Sequence, residues 1–455
     1  TRKHGHLHGI TAKENDMRVE IDPRVDSITM PENLRVGLMV AKARARCGGK
    51  CEHDFSGFAF GQSPFHVPPP LAEALGRNAD KGHYSAAEGI PELREAVAGF
   101  NKRHFGLDVD PGRIVIGPGT KDLIFTIFSM IKGAVIIPTP SWIGYYPQLR
   151  LMGKHYHPFR LKPEYGFRIR PRDLDAALAD LAHEQTQHLL VLNNPHNPTG
   201  VVYTKDELME IARVCERHNT LILADEIYAL STYRPEDFVS MGNIFPEGAF
   251  VTNGLSKDRS AGGYRLGSCI LPEGESETLF ADFAKIAATV YTNVSTPTQY
   301  AAVAAYEPND EIDEYLLVTR DIHRMMGLYF SRAFNQIEGI RATTPQGAFY
   351  FYADFNALAD NLRKKDIQDS NSLGQSLLSH PFHVATVTGD AVMLRPDDFG
   401  ARIAFVDYEG KKAFDNYLKS PPQTPEEENR FVELNAPRMI EGVEKLKNWV
   451  DFLTA

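Results

Sequence analysis

LLVLN at residues 189–193 runs directly into NNPHNPTG at 193–200, and TLILADEIY follows at 220–228. Both apolar runs are short and closed by turn-forming or charged residues, the pattern of a strand buried on both faces. Between them Leu208, Ile211, Ala212 and Cys215 recur at the spacing of one helix face. Strand, helix and strand in this order predict a parallel pair with a crossover helix. The alternation extends outward. Upstream, a helix opens at Pro91 in GIPELREAVAGFNKRHFG, with Leu93, Val97, Phe100 and His104 at helical spacing and Gly106 as its stop. RIVIGPGTKDLIFTIFSMI at 113–131 reads as strand, Gly-rich turn and helix, and AVIIP at 134–138 as the next strand. Downstream, AFVTNGLSK at 249–257 and RLGSCIL at 265–271 are further short apolar runs. The expected fold class is α/β, a mostly parallel sheet with helices on both faces. Ligands of such sheets gather beyond the carboxyl ends of the strands, so the polar residues closing these runs are the functional candidates.

Beyond about residue 330 the pattern changes. RATTPQGAFYFYADF at 341–355 predicts an extended, aromatic-rich segment, and the remainder mixes helices with scattered strands as a smaller α+β domain. SPPQTPEEEN at 420–429 reads as a linker or loop by composition. Met439, Val443, Leu446, Val450 and Leu453 mark one face of a final amphipathic helix.

A chain of 455 residues suits a large α/β enzyme with an accessory domain. At 43% hydrophobic and 24% charged, its composition excludes a collagen-like chain, a disulfide-stapled module and a disordered polymer. The net charge of −10 opposes nucleic-acid binding by bulk phosphate attraction. No stretch reaches about 18 consecutive apolar residues, so no membrane-spanning helix is expected. The opening TRKHGHLHGITAKEND lacks the apolar core of a signal peptide, and His4, His6 and His8 read as a loosely docked terminus. Cys47 and Cys51 stand near His53 without a second thiol pair, so no metal site is expected there. Cys215 and Cys269 fall in apolar runs, where a free thiol packs as a small hydrophobe. A cytoplasmic, reducing setting fits these cysteines.

Three segments carry candidate chemistry. The Pro- and Asn-rich turn NNPHNPTG can hold the Asn197 amide rigidly toward a ligand. Asp225 and Tyr228 close the next strand in DEIY, where a carboxylate can meet a cofactor, a metal or a helix end. SKDRSAGGYRLG at 256–267 places Lys257 in a short turn between apolar runs, and such a lysine can form a Schiff base with an aldehyde. Each pattern alone is loose; their order is specific. YSAAEGIPELREAV, GPGTKD, PTPSW, NNPHNPTG, DEIY and SKDRSAGGYRLG together resemble the class I/II aminotransferases, fold type I of the pyridoxal-phosphate enzymes. The likeness is to their aspartate aminotransferase-like branch and runs from Gly61 to the region around Arg402.

This resemblance implies pyridoxal 5'-phosphate as cofactor, with Lys257 as its Schiff-base lysine and the base that moves the substrate proton. Asp225 would pair with the pyridine nitrogen, Asn197 and Tyr228 would bond the phenolic oxygen, and Trp142 would stack on the ring. Gly119, Thr120 and Lys121 would cradle the phosphate at a helix start, with Arg265 and Ser256 adding contacts. Tyr84 would reach the phosphate of a neighbouring subunit, which implies a homodimer with shared active sites. Arg402 best matches the arginine that clamps the substrate carboxylate, with Arg395 as its competitor. Gly61 and Asn197 would also lie against substrate. The implied division is residues 1–84 as a segment contributing to the small domain, 85–330 as the large cofactor domain and 331–455 as the C-terminal small domain.

Two departures stand out: Gly254 occupies a position where the family often has a hydroxyl residue, and Gly262 replaces the proline of the family's PG-x-R turn. Tyr145, Tyr146 and Arg150 read either as residues that shape a side-chain pocket or, at least as readily, as packing and surface residues. The implied reaction is transfer of an amino group from an amino acid to a 2-oxo acid. Its rivals are β-elimination of the C–S lyase kind or cyclopropane-forming chemistry on the same fold, an effector-binding module, and a generic α/β protein with a structural Lys257.

Overall fold

The computed structural model describes residues 19–28, 32–46, 55–274 and 276–455. His4, His6, His8, Cys47, Cys51 and His53 lie outside them. In chain order the strands are β1 (Ser56–Gly57), β2 (Ile114–Gly117), β3 (Val135–Thr139), β4 (Tyr156–Arg160), β5 (His188–Asn193), β6 (Thr220–Asp225), β7 (Ala249–Gly254), β8 (Gly267–Ile270), β9 (Arg341–Ala342), β10 (Tyr350–Asp354), β11 (Val384–Ala385), β12 (Val387–Thr388) and β13 (Gly400–Ala404).

Seven of these form the main sheet, in the order β2-β8-β7-β6-β5-β3-β4. All neighbours are parallel except β8, which runs antiparallel to both β2 and β7. The short apolar runs are strands because both of their faces are covered. Leu189, Val191, Leu223 and Phe250 belong to one apolar cluster, with Leu123, Ile127 and Phe128 of the helix Thr120–Met130. The alternate residues Leu190, Leu192, Ile222, Ala224 and Val251 face the other cluster, with Leu208, Ile211 and Cys215 of the helix Lys205–Arg217. Cys215 and Cys269 are buried free thiols, as their apolar settings predict.

TLILADEIY stops being a strand at Asp225 because the Glu226 side chain turns away to accept the Met241 backbone N–H at 2.7 Å. Helix Pro91–Phe105 ends at Gly106, which takes the left-handed conformation with φ of 61°. The 420–429 stretch departs from its expected loop. A helix spans Pro425–Asn435, because Thr424 and Glu427 form a reciprocal capping box and Pro425 sits in the first turn. The final helix is Pro437–Thr454, burying Met439, Leu446, Trp449, Val450 and Leu453.

A second, four-stranded antiparallel sheet has the order β12-β13-β10-β9. β1, from the amino-terminal side, pairs in parallel with β11 near the other end of the chain. A long helix, Asp310–Asn335, packs against β10 and against helix Pro425–Asn435. No helix among the described residues is long and apolar enough to cross a membrane.

His323, on that long helix, is 3% exposed, with Phe65 and Phe349 each 5.2 Å from its ring. Burial depresses its pKa to about 3, and burial also takes His196 down to about 4. Unfolding releases both toward the ordinary value near 6.5, so the unfolded chain binds protons that the folded chain refuses. Their contribution is present above about pH 6.5 and is lost as pH falls toward the folded values. At pH 5 each histidine should cost about 2 kcal/mol of stability. His323→Leu should therefore lose about 2 kcal/mol less than the wild type between pH 7 and pH 5, read by urea unfolding at each pH.

Candidate active site

The register of β5, β6 and β7 brings their carboxyl ends level: Asn193 lies opposite Asp225, and Asp225 opposite Thr252. Asn193 ties this edge together. Its Nδ2 donates to the Asp225 carbonyl at 2.8 Å, and its Oδ1 accepts the Asn197 backbone N–H at 2.6 Å. The NPHNPTG turn is thereby pinned across the strand ends. Asn197 is buried, and its side-chain oxygen has no hydrogen-bond partner. Gly200, at φ of 72°, lets the turn pass β10, since a Cβ there would stand 2.5 Å from the Tyr350 carbonyl oxygen.

Asp225 is 4% exposed. Tyr145 donates its hydroxyl to Asp225 Oδ2 at 2.6 Å, and the Thr252 hydroxyl approaches Oδ1 at 3.5 Å. Burial raises the Asp225 pKa, while the Tyr145 bond, the Ile227 backbone, Thr252 and the Lys257 charge all favour the ionised form. Lys257 stands in the turn after β7. Its Nζ donates to the Gly61 carbonyl at 2.7 Å and lies 5.6 Å from the Tyr228 ring centre and 5.5 Å from that of Phe349. The Tyr350 hydroxyl donates to the same carbonyl at 3.2 Å and lies 3.0 Å from the Tyr228 hydroxyl.

The Gly-rich turn between β2 and helix Thr120–Met130 meets Arg265. Arg265 Nη1 donates to the Gly262 carbonyl at 2.9 Å and Nη2 to the Pro118 carbonyl at 3.2 Å. A Cβ on Gly119, whose φ is 89°, would stand 2.4 Å from Arg265 Nη2, so only glycine admits the guanidinium so close to the helix start. The pKa of Lys121 is lowered by burial, then by the positive charges of Arg265 and Lys257, so both cations lie within electrostatic reach of it. Lys121 Nζ lies 5.4 Å from the Trp142 ring centre, and Trp142 meets Tyr145 edge-on at 5.0 Å. Ser256 is half-buried in the Lys257 turn.

On the other side, Arg402 projects from β13 and is 4% exposed. Its Nη2 donates to the Ala59 carbonyl at 2.7 Å, its guanidinium stacks 4.7 Å from the Tyr350 ring centre, and its Nε has no partner. Arg395 instead lies at the surface, paired with Asp397 at 3.6 Å. Gly61 is held by close approach: a Cβ there would stand 2.0 Å from the Tyr350 hydroxyl. Tyr84 is 85% exposed and stands apart from the residues just described.

Of the two readings of Tyr145, the structure fits packing: it is fully buried and reaches a strand end distant in sequence. Tyr146 packs edge-on against Tyr156 at 5.1 Å, with the Arg150 guanidinium 5.7 Å from its ring. Tyr350 and Thr252 were also absent from the sequence-derived candidates. Position 350 could have been found from the alternation of AFYFYADF, which sets Tyr350 on one face of β10 with Tyr352.

Comparison with protein families matches residues 54–407 to "Aminotransferase class I and II". An aspartate aminotransferase of Bacillus subtilis is 30% identical over 360 residues, covering 77% of this chain and 87% of the relative. An asparagine–oxo-acid transaminase of Streptococcus mutans is 29% identical, covering 80% and 88% respectively. In fold, the chain is similar to the structure of an aspartate aminotransferase from Thermus thermophilus with maleate, at a TM-score of 0.77 and 24% identity over 95% of this chain and 100% of that one. With lysine, carboxylate and arginine gathered at the strand ends of this fold, the chain belongs to the class I and II aminotransferases, enzymes that move an amino group from an amino acid to a 2-oxo acid.

Proposed function

We propose that the amino transfer depends on pyridoxal 5'-phosphate held between Asp225, Asn197, Tyr228, Trp142 and the Gly119–Lys121 turn. The observation that carries this reading is the Arg265 guanidinium set against the Gly119 turn at the start of helix Thr120–Met130, with Lys121 within reach of the Arg265 and Lys257 charges. Three cations and free helix N–H groups suit a phosphate dianion. The unpartnered Asn197 side-chain oxygen and the buried Asp225 carboxyl mark where a polar heterocycle fits. Once bound, the cofactor supplies an aldehyde for amines and an electron-poor ring that stabilises negative charge at the substrate α-carbon.

The chain's own residues do the rest. Asp225 would face the ring N–H, and Tyr145 favours its ionised form by donating to it. Asn197 and Tyr228 hydrogen-bond the phenolic oxygen. Arg265, Ser256, Gly119, Thr120 and Lys121 anchor the phosphate. Arg402 binds the substrate α-carboxylate; its unpartnered Nε and bonded Nη2 leave one guanidinium edge to give. Arg395, engaged at the surface by Asp397, is the weaker choice. Lys257 Nζ would leave the Gly61 carbonyl to take the proton from the substrate α-carbon and deliver it to the carbon that had carried the aldehyde. Gly61 admits substrate close to the backbone. Tyr84, exposed on its own chain, serves the phosphate of a second copy in a homodimer. The division into a large domain at 85–330 and a small domain from 1–84 and 331–455 belongs to the same reading, with the small-domain sheet carrying Arg402.

Incubation with pyridoxal 5'-phosphate should give a visible absorbance band, fixed to Lys257 by borohydride reduction and peptide mapping. Lys257→Ala should lose both the band and amino transfer; a wild-type chain without the band sinks the reading. A donor panel beginning with aspartate and asparagine, matched with several 2-oxo acids, identifies the substrates. Arg402→Lys should raise the donor KM roughly ten- to a hundredfold, the loss of one two-pronged charged clamp, whereas Arg395→Lys should leave it unchanged. Tyr145→Phe removes a bond that favours ionised Asp225, so the Asp225 pKa rises further. The acid limb of the rate–pH profile should move to higher pH, read from kcat/KM measured across the acid range.

A further inference from the structure

The segment from Ala59 to His66 carries three carbonyls that accept from side chains far away in sequence. Ala59 accepts from Arg402 Nη2, Gly61 from Lys257 Nζ and His66 from the Tyr315 hydroxyl, each at 2.7 Å. A run of hydroxyls lies within this frame. Ser63 Oγ is 2.5 Å from Ser260 Oγ, and Ser260 Oγ is 2.7 Å from the Tyr315 hydroxyl. Its proton order can be worked back from the end. The His66 carbonyl only accepts, so Tyr315 donates to it and accepts from Ser260. Ser260 directs its one proton to Tyr315 and therefore accepts from Ser63. Burial raises the Tyr315 pKa, which keeps the phenol an O–H donor.

Ser260 stands three residues beyond Lys257 in the same turn. Its φ is 53°, the left-handed region that glycine occupies without strain and serine does not. A serine at such a position has a reason in its hydroxyl, which bridges two distant parts of the chain. Phe65, in the bridged segment, donates its N–H weakly to Ser63 Oγ at 3.5 Å, so the seryl oxygen is held from both sides.

We propose that Ser260 is a positioning residue, whose bonds to Ser63 and Tyr315 lock the 59–66 segment to the Lys257 turn. The lock fixes Gly61 against the amine and Ala59 against the Arg402 guanidinium, so the two groups that take a substrate from opposite sides keep one register. Ser260 touches neither substrate nor cofactor. It acts through the backbone that both anchors share. The inference rests on the roles given above to Lys257 and Arg402.

Ser260→Gly removes the hydroxyl and relieves the backbone, so the variant should fold at least as well as Ser260→Ala. Its donor KM should rise about tenfold with a smaller change in kcat, within the scale of the two hydrogen bonds that the hydroxyl makes. Hydrogen exchange of the 59–66 amides, measured on the wild-type and variant chains without cofactor or substrate, should accelerate by about the same factor, while β5 and β6 stay unchanged. Ser63→Ala, which removes one of those two bonds, should reproduce both effects in smaller measure, and the double variant should be no worse than Ser260→Gly alone. Wild-type KM and exchange in Ser260→Gly, or additive effects in the double variant, would overturn the proposal. If the wild-type chain itself transfers no amino group, the proposed function fails. The exchange measurement then still decides the lock, faster exchange supporting it and unchanged exchange refuting it.

Discussion

A carboxyl buried at the end of β6 sets the terms for everything around it. Burial penalises the charge of Asp225 and raises its pKa. The fold answers with directed groups: the Tyr145 hydroxyl on one oxygen, Thr252 near the other, a backbone N–H, and the Lys257 charge beyond. Each comes from a different element, so the sheet register, the helix Tyr145–Met152 and the turn after β7 must all be correct at once. The neighbouring Asn193 side chain does the corresponding work for the loop above, tying the Asn197 turn to the same strand. The site is preorganised by groups whose own positions are fixed by burial.

Much of this was legible in the chain. The β5–helix–β6 unit showed itself because both faces of each strand are covered, which forces unbroken apolar runs. Asn197, Asp225 and Lys257 could be singled out because they follow such runs, where side chains emerge from the sheet edge, whereas Arg265, which precedes β8, was marked only by the family resemblance. Strand direction was not legible. A buried strand reads alike in either sense, and only the register shows β8 antiparallel to its neighbours. The Tyr145 bond to Asp225 was not legible because its partner is a strand end far along the chain, a contact no local period encodes. In 425–435, an acidic, Pro-containing composition masked a helix whose start is fixed by two side chains, Thr424 and Glu427.

The second sheet brings distant parts of the chain to this edge. Arg402 on β13, Tyr350 on β10 and the segment after β1 meet around the carbonyls of Ala59 and Gly61. Those two oxygens carry no sequence signal, since any residue supplies a carbonyl. What the chain encodes is the absence of a side chain at Gly61, where the Tyr350 hydroxyl occupies the space a Cβ would need.

The reversed strand has one more effect. Because β8 enters the sheet antiparallel beside β7, its first residue, Gly267, lies level with the last residue of β7, Gly254. Lys257 and Arg265 therefore ride on a single hairpin instead of on two loops separated by a crossover helix. The interval between them behaves as a ruler of fixed length, with both ends clamped in hydrogen-bonded strands.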